Sequence, residues 1–129
     1  MQKFANEQQM IDFGQNLAKT LEAPAVIELI GDVGAGKTTI TKGIARGLGI
    51  EDEITSPTFT LSKRYSFQKA GKECFLVHYD FYRLNDPGIM SEDLLENIQD
   101  ENTITLIEWG DSVSNLLPEN HLRFYISIN

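Results

Sequence analysis

The sequence of 129 residues contains a single cysteine, Cys74, so it can close no internal disulfide and supply no cysteine-rich metal cluster. It is also poor in positive charge, with 11 Lys and Arg against 19 Asp and Glu and a net charge of -8. Because phosphate-backbone binding needs clustered cations, that balance argues against an extended basic groove for nucleic acid and leaves room only for a local basic spot. Long apolar runs are missing: the best stretch, Ala25 to Ile30, is interrupted by Glu28 and is far too short to cross a membrane. Met1 to Glu7 lacks the apolar segment of a signal peptide. Repeats, low-complexity tracts and Pro/Gly/Ser-rich linkers are absent as well. What remains, 41% hydrophobic and 23% charged residues, reads as a cytoplasmic globular protein with no membrane partner and one domain over residues 1–129.

Hydrophobic periodicity gives the architecture. Met10, Phe13, Leu17 and Leu21 fall near helical spacing and predict a helix over Asn6 to Leu21, stopped by Pro24. Ala25 to Ile30 reads as a buried strand, Gly31 to Gly36 as a glycine-punctuated loop, and Lys37 to Leu48 as a second helix that Gly49 ends. After the polar Thr55–Thr58 loop, Phe59 to Phe67 partly alternates like a strand. Lys69-Ala70-Gly71-Lys72 makes a hairpin turn, and Glu73 to Tyr79 the returning strand. Asn85 to Gly88 is a turn, Ser91 to Ile98 a short helix with Ser91 as N-cap, and Thr103 to Ile107 a strand. A short helix over Asp111 to Leu117 and a strand over Leu122 to Ile128 complete the chain. The alternation predicts an α/β sandwich with a mixed, mostly parallel sheet and an antiparallel hairpin.

One motif dominates. Gly31-Asp32-Val33-Gly34-Ala35-Gly36-Lys37-Thr38 satisfies G-x-x-x-x-G-K-[ST], with an apolar strand before it and an amphipathic helix after it, the context in which the string means a phosphate-binding loop. Glycines let the backbone wrap so that successive N–H groups point inward at the phosphate oxygens, at the positive end of the following helix. Lys37 supplies a cation for the β- and γ-phosphates, and the Thr38 hydroxyl a ligand for Mg²⁺. No [NT]-K-x-D string for guanine is present, which favours ATP or loose base selection.

Such a site needs an acid beyond the strand ends. Asp80 and Glu108 both close apolar strands. The run before Glu108 is the more uniformly apolar, as expected of a central parallel strand, so Glu108 is favoured at the metal and Asp80 in a supporting or switching role. Thr58 sits in a loop able to fold over a γ-phosphate, or is simply part of a Ser-Pro turn. Arg83 is placed to neutralise phosphoryl charge, or to make a surface ion pair. Trp109 reads as a core or rim aromatic, His78 as a packing residue, Cys74 as a small strand residue, and His121 carries no signal.

Four blocks together resemble the TsaE (YjeE) family: Gly31 to Thr39, Ser56-Pro57-Thr58-Phe59, His78-Tyr79-Asp80-Phe81-Tyr82-Arg83-Leu84, and Ile107-Glu108-Trp109-Gly110-Asp111. The resemblance implies a weak P-loop ATPase required for threonylcarbamoyladenosine on tRNA, working with the partners TsaD and TsaB and meeting tRNA only through them. It implies Thr38 and Glu108 as Mg²⁺ ligands, Gly34 to Thr39 as the cradle, and roles for Asp80 and Trp109 in hydrolysis or nucleotide sensing. Family members usually continue beyond a strand corresponding to Leu122–Ile128. Two other readings of the P-loop stand beside this one. A small-molecule kinase would want an arginine-bearing lid, whereas Arg46, Arg64, Arg83 and Arg123 are scattered. A non-hydrolysing module would work by changing shape on binding ATP.

Overall fold

The computed structural model describes residues 2–31, 36–52, 54, 62–81 and 90–128. Its strands are β1 (Gln2–Phe4), β2 (Ala25–Ile30), β3 (Ser62–Lys69), β4 (Lys72–Asp80), β5 (Thr103–Glu108) and β6 (Leu122–Ile128). Its helices are α1 (Glu7–Thr20), α2 (Lys37–Leu48) and α3 (Met90–Gln99), with a 3-10 helix at Gly110–Leu116. The sheet order is β1–β6–β2–β5–β4–β3, and every neighbouring pair is parallel except the β3–β4 hairpin. The mixed, mostly parallel sheet expected from the sequence is therefore the one observed.

β2 and β5 are central, and their burial follows from composition: all six residues of β5 are buried, as a strand covered on both faces must be. On one face, α1 and α2 pack over Ile27, Leu29, Leu76, Ile104 and Leu106. On the other, α3 and the 3-10 helix cover Val26, Val77, Tyr79, Phe81 and Ile107. Asn6 caps α1 by accepting from the Gln9 N–H at 2.9 Å, and the apolar stripe of α2 (Ile40, Ile44, Ala45, Leu48) is buried as its spacing requires. The α1–α2 crossing is close because small residues meet there. A Cβ on Gly14 would lie 2.5 Å from the Ile40 carbonyl oxygen, and one on Gly43 2.3 Å from that of Ile11.

Several elements differ from expectation. β1 has only three residues, too short to leave a pattern, and exists through its parallel pairing with Ile126–Ile128. The hairpin runs two residues further than read, to Lys69, where Ala70 (φ 54°) and Gly71 (φ 77°) make the tight turn. Ser91 lies inside α3 rather than capping it, because the helix already includes Met90. The helix expected at Asp111–Leu117 is a 3-10 helix starting at Gly110. The expected Thr55–Thr58 loop, Phe59 to Leu61 and the Asn85–Gly88 turn lie outside the described residues.

Candidate functional site

Parallel strands deliver their C-terminal ends to one edge of the sheet, the edge where α/β proteins bind ligands. β2 ends at Ile30, so Gly31 emerges there. β4 and β5 place Asp80 and Glu108 at the same register position, and Leu29 of β2 pairs with Glu108 on the other side. The Phe81 N–H donates to the Glu108 carbonyl oxygen at 3.0 Å, tying the two exits together.

α2 begins at this edge. Gly36, its N-cap, holds φ 93°, a left-handed conformation that favours glycine, and a side chain there would meet Met10 Sδ at 2.3 Å. Lys37 is 5% exposed, very low for a lysine. Its Nζ donates to the Gly31 carbonyl oxygen at 2.5 Å and stands 4.3 Å from the centre of the Trp109 ring. Thr38 follows in the first turn, where free backbone N–H groups and the helix dipole favour an anion. Trp109 itself has φ 57°, a left-handed conformation uncommon for a large residue and one that turns the chain sharply after Glu108.

Glu108 is 3% exposed and accepts from the fully buried His78 Nε2 through Oε2. On the opposite face of the sheet, Tyr79 donates to Asp93 and accepts from Asn97 Nδ2 at 2.6 Å, pinning α3 to β4. Burial, then the Asp93 carboxylate that accepts its proton, pushes the Tyr79 phenol well above the ordinary tyrosine range.

The structure thus brings Gly36, Lys37, Thr38, Glu108, Asp80 and Trp109 to one strand-end region. Gly34 and Ala35 of the cradle, with Ser56-Pro57-Thr58 and Arg83, lie outside the described residues. Three contacts were not legible from the sequence. They are the Lys37–Trp109 approach, the seat of Met10 against Gly36 and the His78–Glu108 bond, each joining residues far apart in the chain. Only the alternation of His78 with Asp80 on one strand hinted that His78 shares their face. A separate cleft of about 320 Å³, lined by Pro24, Val26, Ile98, Pro118 and His121, opens at the starts of β2 and β6, away from this edge.

A family described as "TsaE: Threonylcarbamoyl adenosine biosynthesis protein TsaE" matches residues 4–129. The tRNA threonylcarbamoyladenosine biosynthesis protein TsaE of Streptomyces coelicolor is 38% identical over 117 residues, covering 91% of this chain and 78% of its own. The protein of the same name from Haemophilus influenzae is 37% identical, covering 92% and 75%. Among solved structures, that of YdiB from Bacillus subtilis superposes with a TM-score of 0.72 at 30% identity, covering 95% of this chain and 72% of that one. With the blocks from Gly31 to Asp111 inside the matched span, the chain belongs to the TsaE family of tRNA threonylcarbamoyladenosine biosynthesis proteins.

Proposed function

We propose that this chain binds Mg·ATP at the β2–α2 junction, hydrolyses it weakly, and through that cycle drives or resets a TsaD–TsaB complex that transfers the threonylcarbamoyl group to tRNA. The observation that carries the reading is the buried Lys37 ammonium, one residue past a left-handed Gly36 and directed at the strand-end carbonyl of Gly31. A buried ammonium beside the first-turn N–H groups of a helix suits the binding of an anion. A triphosphate tail supplies that anion, and Lys37 exchanges the Gly31 carbonyl and the Trp109 face for phosphate oxygens.

The residues present suit magnesium. A hydroxyl and a carboxylate, from Thr38 and Glu108, are the hard oxygen donors that cation takes. Bound with nucleotide, magnesium neutralises charge on the β- and γ-phosphates. The remaining work falls to the protein. Backbone N–H groups of the α2 first turn hold the phosphates, and Lys37 follows charge onto the leaving oxygen. Asp80, beside Glu108 in register, accepts a hydrogen bond from the attacking water and so orients it. Weak turnover follows if completing that arrangement awaits partner contact.

Reconstitution with TsaD, TsaB, tRNA and the threonylcarbamoyl donor tests this reading. Wild-type protein should sustain repeated rounds of modification, whereas Lys37→Ala should leave the yield near one round per complex. Equal multiple-turnover yields from both proteins would defeat it.

A further inference from the structure

We propose that His78 is the positioning residue for Glu108: its Nε2–H fixes one carboxylate oxygen and leaves the other for the magnesium of a bound nucleotide. The inference rests on the reading that Glu108 serves the metal. The register explains how the pair meets. His78 is opposite Leu106 and Asp80 is opposite Glu108, so His78 and Glu108 project from the same face of adjacent strands, one pleat repeat apart.

Three observations separate this role from packing. First, His78 is 0% exposed on a face otherwise filled by Leu29, Leu76 and Leu106, where a leucine would fill the space without burying polar nitrogens. Second, the ring belongs to no wider polar network among the described residues. A carboxylate only accepts, so Nε2 carries the proton of the Glu108 bond, while Nδ1 has no hydrogen-bond partner among the described residues. The cost of burying the ring is thus met by one bond, and that bond goes to Glu108. Third, only Oε2 of Glu108 is engaged, and Oε1 makes no hydrogen bond among the described residues. A carboxylate held by one oxygen at a strand end, with acceptor capacity to spare, is arranged as metal ligands are when an outer partner orients them.

The test is calorimetric binding of ATP across a magnesium series, which needs no turnover. Loss of an outer-shell partner weakens metal affinity by about tenfold to a hundredfold. His78→Leu should therefore raise the magnesium concentration that half-maximally enhances ATP affinity by about tenfold or more, with ATP affinity in EDTA unchanged within about twofold. His78→Gln, which restores an N–H donor, should recover part of the shift, and adding His78→Leu to Glu108→Gln should shift it no further. A filler of the core would not show this split, because its loss would affect both conditions alike. If Glu108→Gln shifts the magnesium requirement and His78→Leu does not, the positioning role is wrong while the metal assignment stands. If neither shifts it, the metal assignment fails and the inference with it. Should His78→Leu not fold, His78→Gln against His78→Asn makes the same comparison, with Asn too short to reach Glu108. A shift confined to Asn supports the role, and wild-type behaviour of both overturns it.

Discussion

Two carboxylate–imidazole pairs are buried in this sheet, and they are built differently. Glu108–His78 lies under α1 and α2 at the C-terminal end of β5, and Glu28–His121 lies on the opposite face, midway along β2. His121 is satisfied on both nitrogens: Nδ1–H donates to the Pro118 carbonyl oxygen at 2.6 Å, and Nε2 stands 3.0 Å from Glu28 Oε1 and 3.1 Å from Arg123 Nε. Gly110 backs the same carboxylate so closely that a Cβ there would lie 2.8 Å from Oε2. Each acid has one oxygen with no hydrogen bond among the described residues, but only the histidine of the Glu108 pair also leaves a nitrogen, Nδ1, without a partner among them, and only Glu108 stands at the strand edge where α2 begins. The difference teaches that pairing a buried acid says little about its role. The capacity left unspent, and the direction of the strand that carries it, say more.

The largest way to break this comparison is to remove the cation of the strand-end region. Lys37→Ala should lower ATP affinity by at least about a hundredfold, the loss of a charge-assisted phosphate contact, while His121→Ala stays within about twofold of wild type. Equilibrium binding with a fluorescent ATP analogue reads both, and equal losses would erase the distinction between the two ends. Next come the acids themselves. Glu28→Gln should destabilise the fold by about 1–3 kcal/mol in urea titration, because His121 and Arg123 lose a charged partner, with no change in magnesium requirement. Glu108→Gln should change the magnesium requirement instead, and a reversed pattern would reassign the two roles.

A third prediction concerns the scaffold that aims α2. Gly43→Ala drives a methyl onto the Ile11 backbone and should cost about 1–3 kcal/mol of stability; a neutral thermal midpoint would show that the α1–α2 crossing is looser than described. The smallest effect belongs to Tyr79. Its proton is held more tightly in the folded than in the unfolded chain, so below about pH 10 it contributes no pH dependence. Above that, the unfolded phenol ionises first, the folded state binds more protons, and stability falls by about 1.4 kcal/mol per pH unit. Tyr79→Phe should remove that part of the alkaline slope in urea melts between pH 9.5 and 11, about the range in which the phenol matters. Identical slopes would remove Tyr79 as the source.

Much of this was legible from local pattern. The strand and helix flanking the glycine-rich string, β2 ending at Ile30 and α2 starting at Lys37, were placed by local pattern, and the apolar runs before Asp80 and Glu108 announced strands whose ends had to lie together once the sheet was parallel. The small residues at the α1–α2 crossing were visible but mute, since Gly14 and Gly43 acquire meaning only when the helices are seen to touch. β1 was invisible because three residues hold no period. His78 was read as packing, and burial agrees. What the sequence could not show is that its partner lies on another strand, because register between strands separated by α3 is decided by tertiary structure.

The central claim, that the β2–α2 junction grips a triphosphate, is tested most directly by titrating ATP with magnesium into the purified wild-type chain in a calorimeter. Saturable binding of one nucleotide per chain is expected, weakened when EDTA replaces magnesium. A flat titration up to millimolar ATP would contradict it.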